Sequence, residues 1–150
     1  MASLKVSTNV AAPPAQVWAD LANIASHVEW MKDAVSLNFT SSSTQGVGTT
    51  FECGTKVGPF RLTDRMEITE WVPNKRMGVR HTGLVTGSGV ISLRPTRRLP
   101  GRARRTKVTW QEQLKFPWYF GGRFAAIPVV PVLWVVWRGS LRNLSNRFSQ

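Results

Sequence analysis

Residues 6–31, VSTNVAAPPAQVWADLANIASHVEWM, decide the fold because the spacing of their apolar side chains changes along the segment. At its start, Val6, Thr8 and Val10 alternate with polar residues, which is typical of a half-buried strand over Leu4–Val10. Helical spacing replaces this alternation directly afterwards. The chain is therefore predicted to open with a strand that leads into helices.

Pro13-Pro14 opens the first helix, since proline tolerates the first turn, where its missing N–H is not needed. The apolar residues that recur on one face of this helix are Val17, Trp18, Leu21 and Ile24. Ser26 and Glu29 then have the spacing of a capping box, in which the side chains of both residues cap the first turn. This predicts a second short helix from Ser26 to Met31 and leaves His27 at the surface.

From Val35 to Lys115 the apolar residues alternate with a period of two, which predicts strands throughout. The predicted strands are Val35–Phe39, Phe51–Thr55, Phe60–Ile68 with a change of phase that adds Trp71, Met77–His81, Val85–Leu93 and Val108–Leu114. The connections are short, whereas parallel strands need crossovers of a dozen residues or more. An antiparallel meander follows.

After Phe116-Pro117 the spacing is helical again. The apolar positions, four or three residues apart, are Leu133, Trp137, Leu141, Leu144 and Phe148. Pro131 suits a first turn, so we expect a long helix to begin there. The order of strand, two short helices, six strands and long helix indicates an α+β fold, and residues 1–150 have the length of one domain.

Three stretches carry a resemblance to a known family: residues 6–31, residues 67–81 (EITEWVPNKRMGVRH) and residues 106–118 (TKVTWQEQLKFPW). They resemble the START-like, Bet v 1-like superfamily (SRPBCC), also described as polyketide cyclase/dehydrase and lipid-transport proteins, and the last stretch resembles its actinobacterial-type members. The resemblance implies a helix-grip fold, in which a curved seven-stranded antiparallel sheet surrounds a long C-terminal helix. It implies no single activity, because the superfamily includes lipid carriers, aromatase/cyclases and hydroxylase subunits.

A curved sheet closed by one helix leaves room for a hydrophobic ligand between them. The side chains that alternation and helical spacing place toward this space are Phe51, Leu62, Met66, Met77, Val79, Ile91, Trp110, Leu114 and Trp137. Gly87 and Gly89 share the inner side of one strand, where missing side chains would leave volume. The alternative is that these residues fill a solid core against the helix.

Asp64, His81 and Glu112 fall in the same register as those apolar residues. A carboxylate on an apolar face is costly to bury unless it is paired, so these groups are candidates for a polar spot that orients a ligand or moves a proton. The alternatives are an error of phase near a strand end for Asp64 and His81, or a structural pair. Asp64, His81 and Glu112 are therefore the candidates for any catalytic role.

The formal charge of +12 lies largely in residues 94–107, RPTRRLPGRARRTK, which contain seven basic residues and no acid. Its prolines and glycine predict a mobile hairpin loop rather than regular strands. The cations that would engage an anionic membrane are Arg97, Arg98, Arg102, Arg104 and Arg105. A solvated loop tip is the alternative, and a nucleic-acid partner is less favoured because the charge is confined to one segment.

Other classes of site have no signature in the sequence. P-loop, dinucleotide-binding and nucleophile-elbow motifs are absent, and no spacing of His, Cys and carboxylates indicates a metal, so we expect no cofactor. Cys53, the single cysteine, is interpreted as a core residue. The start of the sequence lacks the pattern of a signal peptide, and the longest apolar stretch, Phe124–Trp137, is too short to span a bilayer. A cytoplasmic location is expected.

These observations favour binding or transport of a small hydrophobic or amphipathic ligand, such as a lipid, a fatty acyl group or a polyketide-like compound. An aromatase/cyclase-type enzyme is the first alternative, which the resemblance implies and no catalytic motif supports. A basic module that binds membranes or nucleic acid through residues 94–107 is the second.

Overall fold

The computed structural model describes residues 2–96, 100–101, 104–118 and 126–149. The strands and helices, in chain order, are β1 (Ala2–Val10), α1 (Pro14–Ala22), a 3-10 turn (Ile24–Ser26), α2 (His27–Trp30), β2 (Ala34–Phe39), β3 (Thr50–Val57), β4 (Phe60–Val72), β5 (Arg76–Thr82), β6 (Thr86–Pro95), β7 (Thr106–Lys115) and α3 (Ala126–Asn146). None of the helices in the described ranges is long and apolar enough to cross a membrane.

The seven strands form one antiparallel sheet in the order β1-β7-β6-β5-β4-β3-β2. From β2 to β7 each strand pairs with the next along the chain, and β1 completes the sheet beside β7. The two short helices follow β1, and α3 packs on the inner face of the sheet. This arrangement confirms the predicted helix-grip fold.

The core lies between the sheet and α3. Trp137 of α3 stacks on Trp110 of β7, with 4.6 Å between the ring centroids and 18° between the ring planes. Trp30, at the end of α2, contacts the same Trp110 edge-on. The three indoles join α2, α3 and the sheet, and burial of such large apolar side chains is a major source of stability. Cys53 is buried in the sheet, as expected, and burial raises the pKa of its thiol to about 11.

The predicted change of phase in β4 is a β-bulge. The pairing of β4 with β5 shifts between Ile68 and Glu70, so that an extra residue enters β4 at that point. Trp71 then packs against the core, where its ring meets Trp18 of α1 edge-on. The pairing of β2 with β3 also shifts, between Ala34 and Ser36. As a result Ala34 is buried and Val35 is exposed, whereas alternation from Val35 predicts that Val35 faces the core.

The predicted start of the long helix at Pro131 is wrong, because α3 already includes Ala126 and Pro131 lies inside it. An interior proline removes the hydrogen bond to the carbonyl four residues earlier, here that of Ile127. Ile127 is exposed, so water can solvate that carbonyl and the helix continues through the proline.

The predicted capping box at Ser26 and Glu29 is also wrong. The Ser26 hydroxyl donates to the carbonyls of Asn23 (2.7 Å) and Asp20 (3.3 Å) instead of capping α2, and Glu29 accepts a hydrogen bond from Arg147.

His27, which the capping box placed at the surface, is buried. Its Nε2 lies 2.8 Å from the Leu21 carbonyl oxygen, and its ring tilts against Trp30. Burial lowers the pKa of His27. The imidazole is therefore a neutral structural group that joins α1 to α2.

The arginine-rich segment is partly regular, which corrects the prediction of a loop over residues 94–107. Arg94 and Pro95 lie in β6 opposite Lys107 and Thr106 of β7, and the Thr96 N–H donates to the Arg105 carbonyl. The ladder persists because proline is tolerated at a strand end. Arg104 and Arg105 are exposed, whereas Arg97, Arg98 and Arg102 lie outside the described residues, so mobility there stays a prediction.

Candidate functional site

The structure brings the three ionisable candidates into one hydrogen-bonded cluster on the inner face of the sheet. His81 of β5 lies between two carboxylates: its Nδ1 is 2.7 Å from Asp64 Oδ2 of β4, and its Nε2 is 2.8 Å from Glu112 Oε2 of β7. His81 and Glu112 are buried, and Asp64 is nearly so. We call these three residues the Asp–His–Glu cluster. Their common register, predicted from alternation, is what allows the contact.

The absence of a side chain at Gly89 makes this cluster possible. Strand β6 separates β5 from β7, and Gly89 is the residue of β6 directly opposite Glu112. A Cβ atom at Gly89 would lie 2.2 Å from Glu112 Oε1 and 2.5 Å from Oε2. The Glu112 carboxylate therefore occupies the volume that a side chain at Gly89 would need, and His81 reaches it across β6.

Gly87 has a different role from the one predicted. Its φ of +142° and the 1.9 Å between an ideal Cβ and the Gln113 carbonyl oxygen show that β6 and β7 approach too closely there for a side chain. Gly87 therefore permits the strands to pair, and it adds no volume to a ligand space.

Glu112 is also tied to the aromatic core. Its Oε1 accepts a hydrogen bond of 2.9 Å from Trp110 Nε1, so both carboxylate oxygens have donors. Trp137, stacked on Trp110, donates through its own Nε1 to Asp33 Oδ2 at 2.9 Å. Through these contacts the Asp–His–Glu cluster is continuous with the junction between β7, α3 and the α2–β2 connection.

Sequence reasoning missed Asp33. It follows α2 in a short connection with no periodicity, and its partner Trp137 is 104 residues away, so no local pattern indicates the pair. Burial raises the pKa of Asp33, an effect that the Trp137 hydrogen bond partly opposes.

His81 is held as an imidazolium. Burial lowers its pKa, but the hydrogen bonds and negative charges of Asp64 and Glu112 outweigh that effect and raise the pKa to about 10. At neutral pH both ring nitrogens therefore carry protons, and each donates to one carboxylate. Within the described ranges, no group of His, Cys, Asp and Glu is arranged to hold a metal ion.

Two buried polar atoms near the Asp–His–Glu cluster lack a hydrogen-bond partner within the described residues. They are Asp64 Oδ1, an acceptor, and Trp30 Nε1, a donor whose ring contacts Trp110. Buried polar atoms are nearly always paired in native proteins, and each exception needs an explanation. The site thus offers His81 held between two carboxylates, an unpaired acceptor at Asp64 Oδ1 and an unpaired donor at Trp30 Nε1, all in apolar surroundings.

The predicted ligand-lining residues fall into two groups. Those buried in the structure are Phe51, Met77, Ile91, Trp110, Leu114 and Trp137, and those partly buried are Leu62, Met66 and Val79. Trp110 and Trp137 are in direct contact, so helix and sheet meet there. The more accessible Leu62 and Met66 flank Asp64 on β4. Any space for a ligand is therefore expected on the Asp64 side of the Asp–His–Glu cluster rather than beneath Trp137.

Solved structures of other proteins share this architecture. A protein of Thermus thermophilus superimposes with a TM-score of 0.75 at 17% identity, covering 97% of this chain and 96% of that one. The ZhuI aromatase/cyclase from Streptomyces sp. R1128 gives a TM-score of 0.72 at 14% identity, covering 97% and 92%. The Aha1 dimer from Colwellia psychrerythraea gives 0.67 at 14%, covering 99% and 96%. At such identities the likeness shows the fold alone.

No curated protein matches the sequence. The family model described as polyketide cyclase/dehydrase and lipid transport, however, matches residues 1–148, which is almost the entire chain. This match agrees with the three stretches that carry the resemblance and with the architecture of the sheet. The chain belongs to the polyketide cyclase/dehydrase and lipid-transport family.

Proposed function

We propose that this protein binds a small apolar or amphipathic molecule, of the lipid, fatty acyl or polyketide-like kind, between the inner face of the sheet and α3. The polar end of the ligand meets the Asp–His–Glu cluster. The observation that carries the proposal is the cluster itself: a buried imidazole hydrogen-bonded to two carboxylates, in a core that is otherwise largely apolar. Membership of the family supports a hydrophobic ligand.

The energetic cost of the cluster argues that it serves more than stability. Transfer of charged groups from water into a protein interior costs several kcal/mol for each ion, and apolar residues of the same volume often give an equally stable core. Asp64 Oδ1 adds to that cost, because it is buried without a donor among the residues that the structure describes. Perturbed, desolvated charges of this kind are concentrated at functional sites. A ligand hydroxyl that donates to Asp64 Oδ1 would supply the hydrogen bond that this buried oxygen lacks.

An aromatase/cyclase-type enzyme is the second candidate. The specific observation in its favour is that His81 holds a proton in contact with both Asp64 and Glu112, so the three groups are equipped to orient a chain of ketones and to move a proton. The fold likeness to the ZhuI aromatase/cyclase is compatible with this candidate but is too distant to assign an activity. Turnover of a poly-β-ketone substrate by the purified protein would distinguish the enzyme from the carrier.

The basic segment remains a separate candidate for surface binding. Arg104 and Arg105 are exposed at the β6–β7 connection, and together with Arg97, Arg98 and Arg102 they form the predicted contact with anionic lipid. Each cation near such a surface contributes about 1 kcal/mol, and the attraction fades within a Debye length of roughly 8 Å at physiological salt. This contact would add affinity for a surface without defining the ligand.

A pair of matched variants tests the ligand proposal. Glu112→Leu removes a carboxylate from the Asp–His–Glu cluster, whereas Glu67→Leu removes one from an ion pair with Arg80 that is partly exposed. We expect a fluorescent fatty acid, with a panel of lipids and aromatic polyketides as competitors, to bind wild type and Glu67→Leu alike, and to bind Glu112→Leu at least about tenfold more weakly.

Circular dichroism must first show that both variants fold. Unchanged ligand affinity in a folded Glu112→Leu variant would make Glu112 structural, and the cluster would then have no part in recognition. Equal loss of affinity in both variants would likewise contradict a specific role for the cluster.

A further inference from the structure

Three connections lie at the same end of the sheet, because all of its strands are antiparallel. The β3–β4 turn closes at the pair Val57 and Phe60, and the β5–β6 turn closes at Thr82 and Thr86. Thr86 also pairs with Lys115, the last residue of β7. The β3–β4 turn, the β5–β6 turn and residues 116–118 therefore lie at one end of the sheet.

Each of these connections carries or adjoins a large apolar side chain that faces solvent. Phe60, the first residue of β4 after the β3–β4 turn, is 74% exposed, Leu84, in the β5–β6 turn, is 40% exposed, and Trp118, just after β7, is 85% exposed. The β3–β4 turn is built on Gly58 with a φ of +58°, so Phe60 follows a turn with a defined backbone. Single exposed apolar residues are ordinary, so the feature to explain is that these three lie at the same end of the sheet, beside basic side chains.

The start of α3 reaches the same end. At the opposite end of the sheet, Ser145 near the end of α3 donates to the carbonyl of Asn9 in β1. The 18 residues from Ser145 back to Ile127 span about 27 Å of helix, and the seven residues from Asn9 back to Ala2 span about 23 Å of strand. Ile127 therefore lies level with the start of β1, and it is 73% exposed. We call Phe60, Leu84, Trp118 and Ile127 the apolar end.

Exposed basic side chains outnumber carboxylates near the apolar end, where Glu52, paired with Arg65, lines a cleft together with Leu84. Lys56 and Arg61 flank the β3–β4 turn, Lys115 precedes Trp118, and all three are exposed. The carboxylates of the described residues are buried, ion-paired, or both: Asp20 and Glu29 with Arg147, Glu52 with Arg65, Glu67 with Arg80, Glu70 with Arg76, and the buried Asp33, Asp64 and Glu112. The potential around the apolar end is thus positive.

We propose that the apolar end docks on the surface of an anionic lipid bilayer. Phe60, Leu84, Trp118 and Ile127 enter the interface between headgroups and acyl chains, where aromatic side chains are favoured, and Lys56, Arg61 and Lys115 contact lipid phosphates. The apolar side chains lie on separate segments of the chain, as suits a fluid surface that adapts to each of them. The basic flank selects an anionic surface. This inference does not rest on the ligand proposal.

The docking surface lies at the opposite end from the arginine-rich hairpin. Arg104 and Arg105 follow the end of β6 and precede β7, beside Asn9 and the end of α3. The two ends cannot occupy the same bilayer at once. Among the described residues, exposed aromatic groups accompany basic ones at the apolar end, whereas the other end combines Arg104 and Arg105 with the exposed aliphatic Val47. A comparison of the two ends therefore decides which one contacts the membrane.

Co-sedimentation with phosphatidylcholine vesicles, with and without phosphatidylserine, tests the proposal on the full chain. We expect wild type to bind the phosphatidylserine vesicles and Phe60→Ser/Leu84→Ser to bind at least about tenfold more weakly, since burial of one such side chain contributes about a tenfold factor. Both side chains are exposed, so the variant is expected to fold. Val47→Ser is the matched control, because Val47 is an exposed apolar residue in the β2–β3 connection at the opposite end.

Three outcomes would overturn the proposal. Wild type could fail to bind either kind of vesicle, Val47→Ser could weaken binding as much as the paired variant does, or Arg104→Ser/Arg105→Ser could abolish binding while Phe60→Ser/Leu84→Ser retains it. A loss with the paired variant alone, together with weaker binding of Lys56→Ser/Arg61→Ser to the anionic vesicles, supports it. Ligand affinity measured in solution should stay unchanged in all of these variants.

Discussion

His81 shows how a histidine can be charged inside a core. Burial alone would keep it neutral, as it does at His27, whose partner is a carbonyl oxygen rather than a carboxylate. At His81 two carboxylates, one on each ring nitrogen, reverse that outcome. The contrast between the two histidines of this chain is therefore set by their hydrogen-bond partners and not by their burial.

The raised pKa of His81 predicts how stability depends on pH. Because the pKa of about 10 in the folded state exceeds the usual 6.5, the stabilisation from the protonated ring is complete below about pH 6.5 and is lost as the pH rises through 10. The difference in free energy of unfolding between wild type and His81→Gln should therefore shrink between neutral pH and pH 10. Urea unfolding of both proteins across this range measures it, and a constant difference would contradict a charged His81.

Gly89→Ala tests the packing that makes the Asp–His–Glu cluster possible. The added methyl would overlap the Glu112 carboxylate, so Glu112 must move away from His81. We expect a loss of about 1–3 kcal/mol in the free energy of unfolding and a lower pKa of His81. Chemical unfolding and an NMR titration of the imidazole measure the two effects.

Glu112→Ala in the Gly89→Ala background is the control. Without the carboxylate the methyl has room, so the double variant should lose less stability than the two single variants together. Strictly additive losses would show that the overlap between these two positions is not what destabilises Gly89→Ala.

Pro131 lies inside α3, where a proline is expected to lower the free energy of unfolding. Pro131→Ala restores the hydrogen bond to the Ile127 carbonyl and relieves the ring clash with that turn. We expect the variant to be more stable by about 1 kcal/mol or more, seen as a higher Tm in a thermal unfolding scan. A lower Tm would mean that the structure needs a break in the helix at Pro131. Val132→Ala, at a neighbouring exposed position, should leave Tm nearly unchanged.

The strands and helices could largely be predicted from the sequence, because alternation and helical spacing are local patterns. Asp64, His81 and Glu112 share the register of Met66, and this pattern alone places them on one face of the sheet. The bulge before Trp71 could also be predicted, because the alternation of apolar residues along β4 changes phase there.

Features that depend on distant contacts could not be predicted. The pair of Asp33 and Trp137 joins residues that are far apart in the sequence and have no common pattern. The placement of His27 has a local cause instead, because its ring contacts the Leu21 carbonyl and Trp30, which the capping-box pattern did not indicate. Proline is favoured in the first turn of a helix, so the local pattern indicated a start at Pro131. The helix already includes Ala126, because the face that contains Trp137 packs against the core.

For the molecule as a whole, the two ends have different character. Arg147, in the turn that follows α3, binds the carboxylate of Asp20 through two nitrogens at 2.8 Å and that of Glu29 at 3.0 Å, which ties α1, α2 and the end of α3 together. The opposite end carries the apolar residues. Leu84 follows β5, which contains His81, and Phe60 begins β4, which contains Asp64. The cluster thus lies nearer the end that we propose to face a membrane, which would suit the exchange of a lipid-like ligand.

Native mass spectrometry of the gently purified protein tests whether the interior holds an apolar or amphipathic ligand. We expect a species heavier than the 16.8 kDa chain by the mass of one small molecule, either retained from the cell or acquired from a mixture of lipids and polyketide-like compounds. The same species should be lost in a folded Glu112→Leu variant. A chain that is found only at its own mass, before and after such incubation, would show that the interior holds no such ligand.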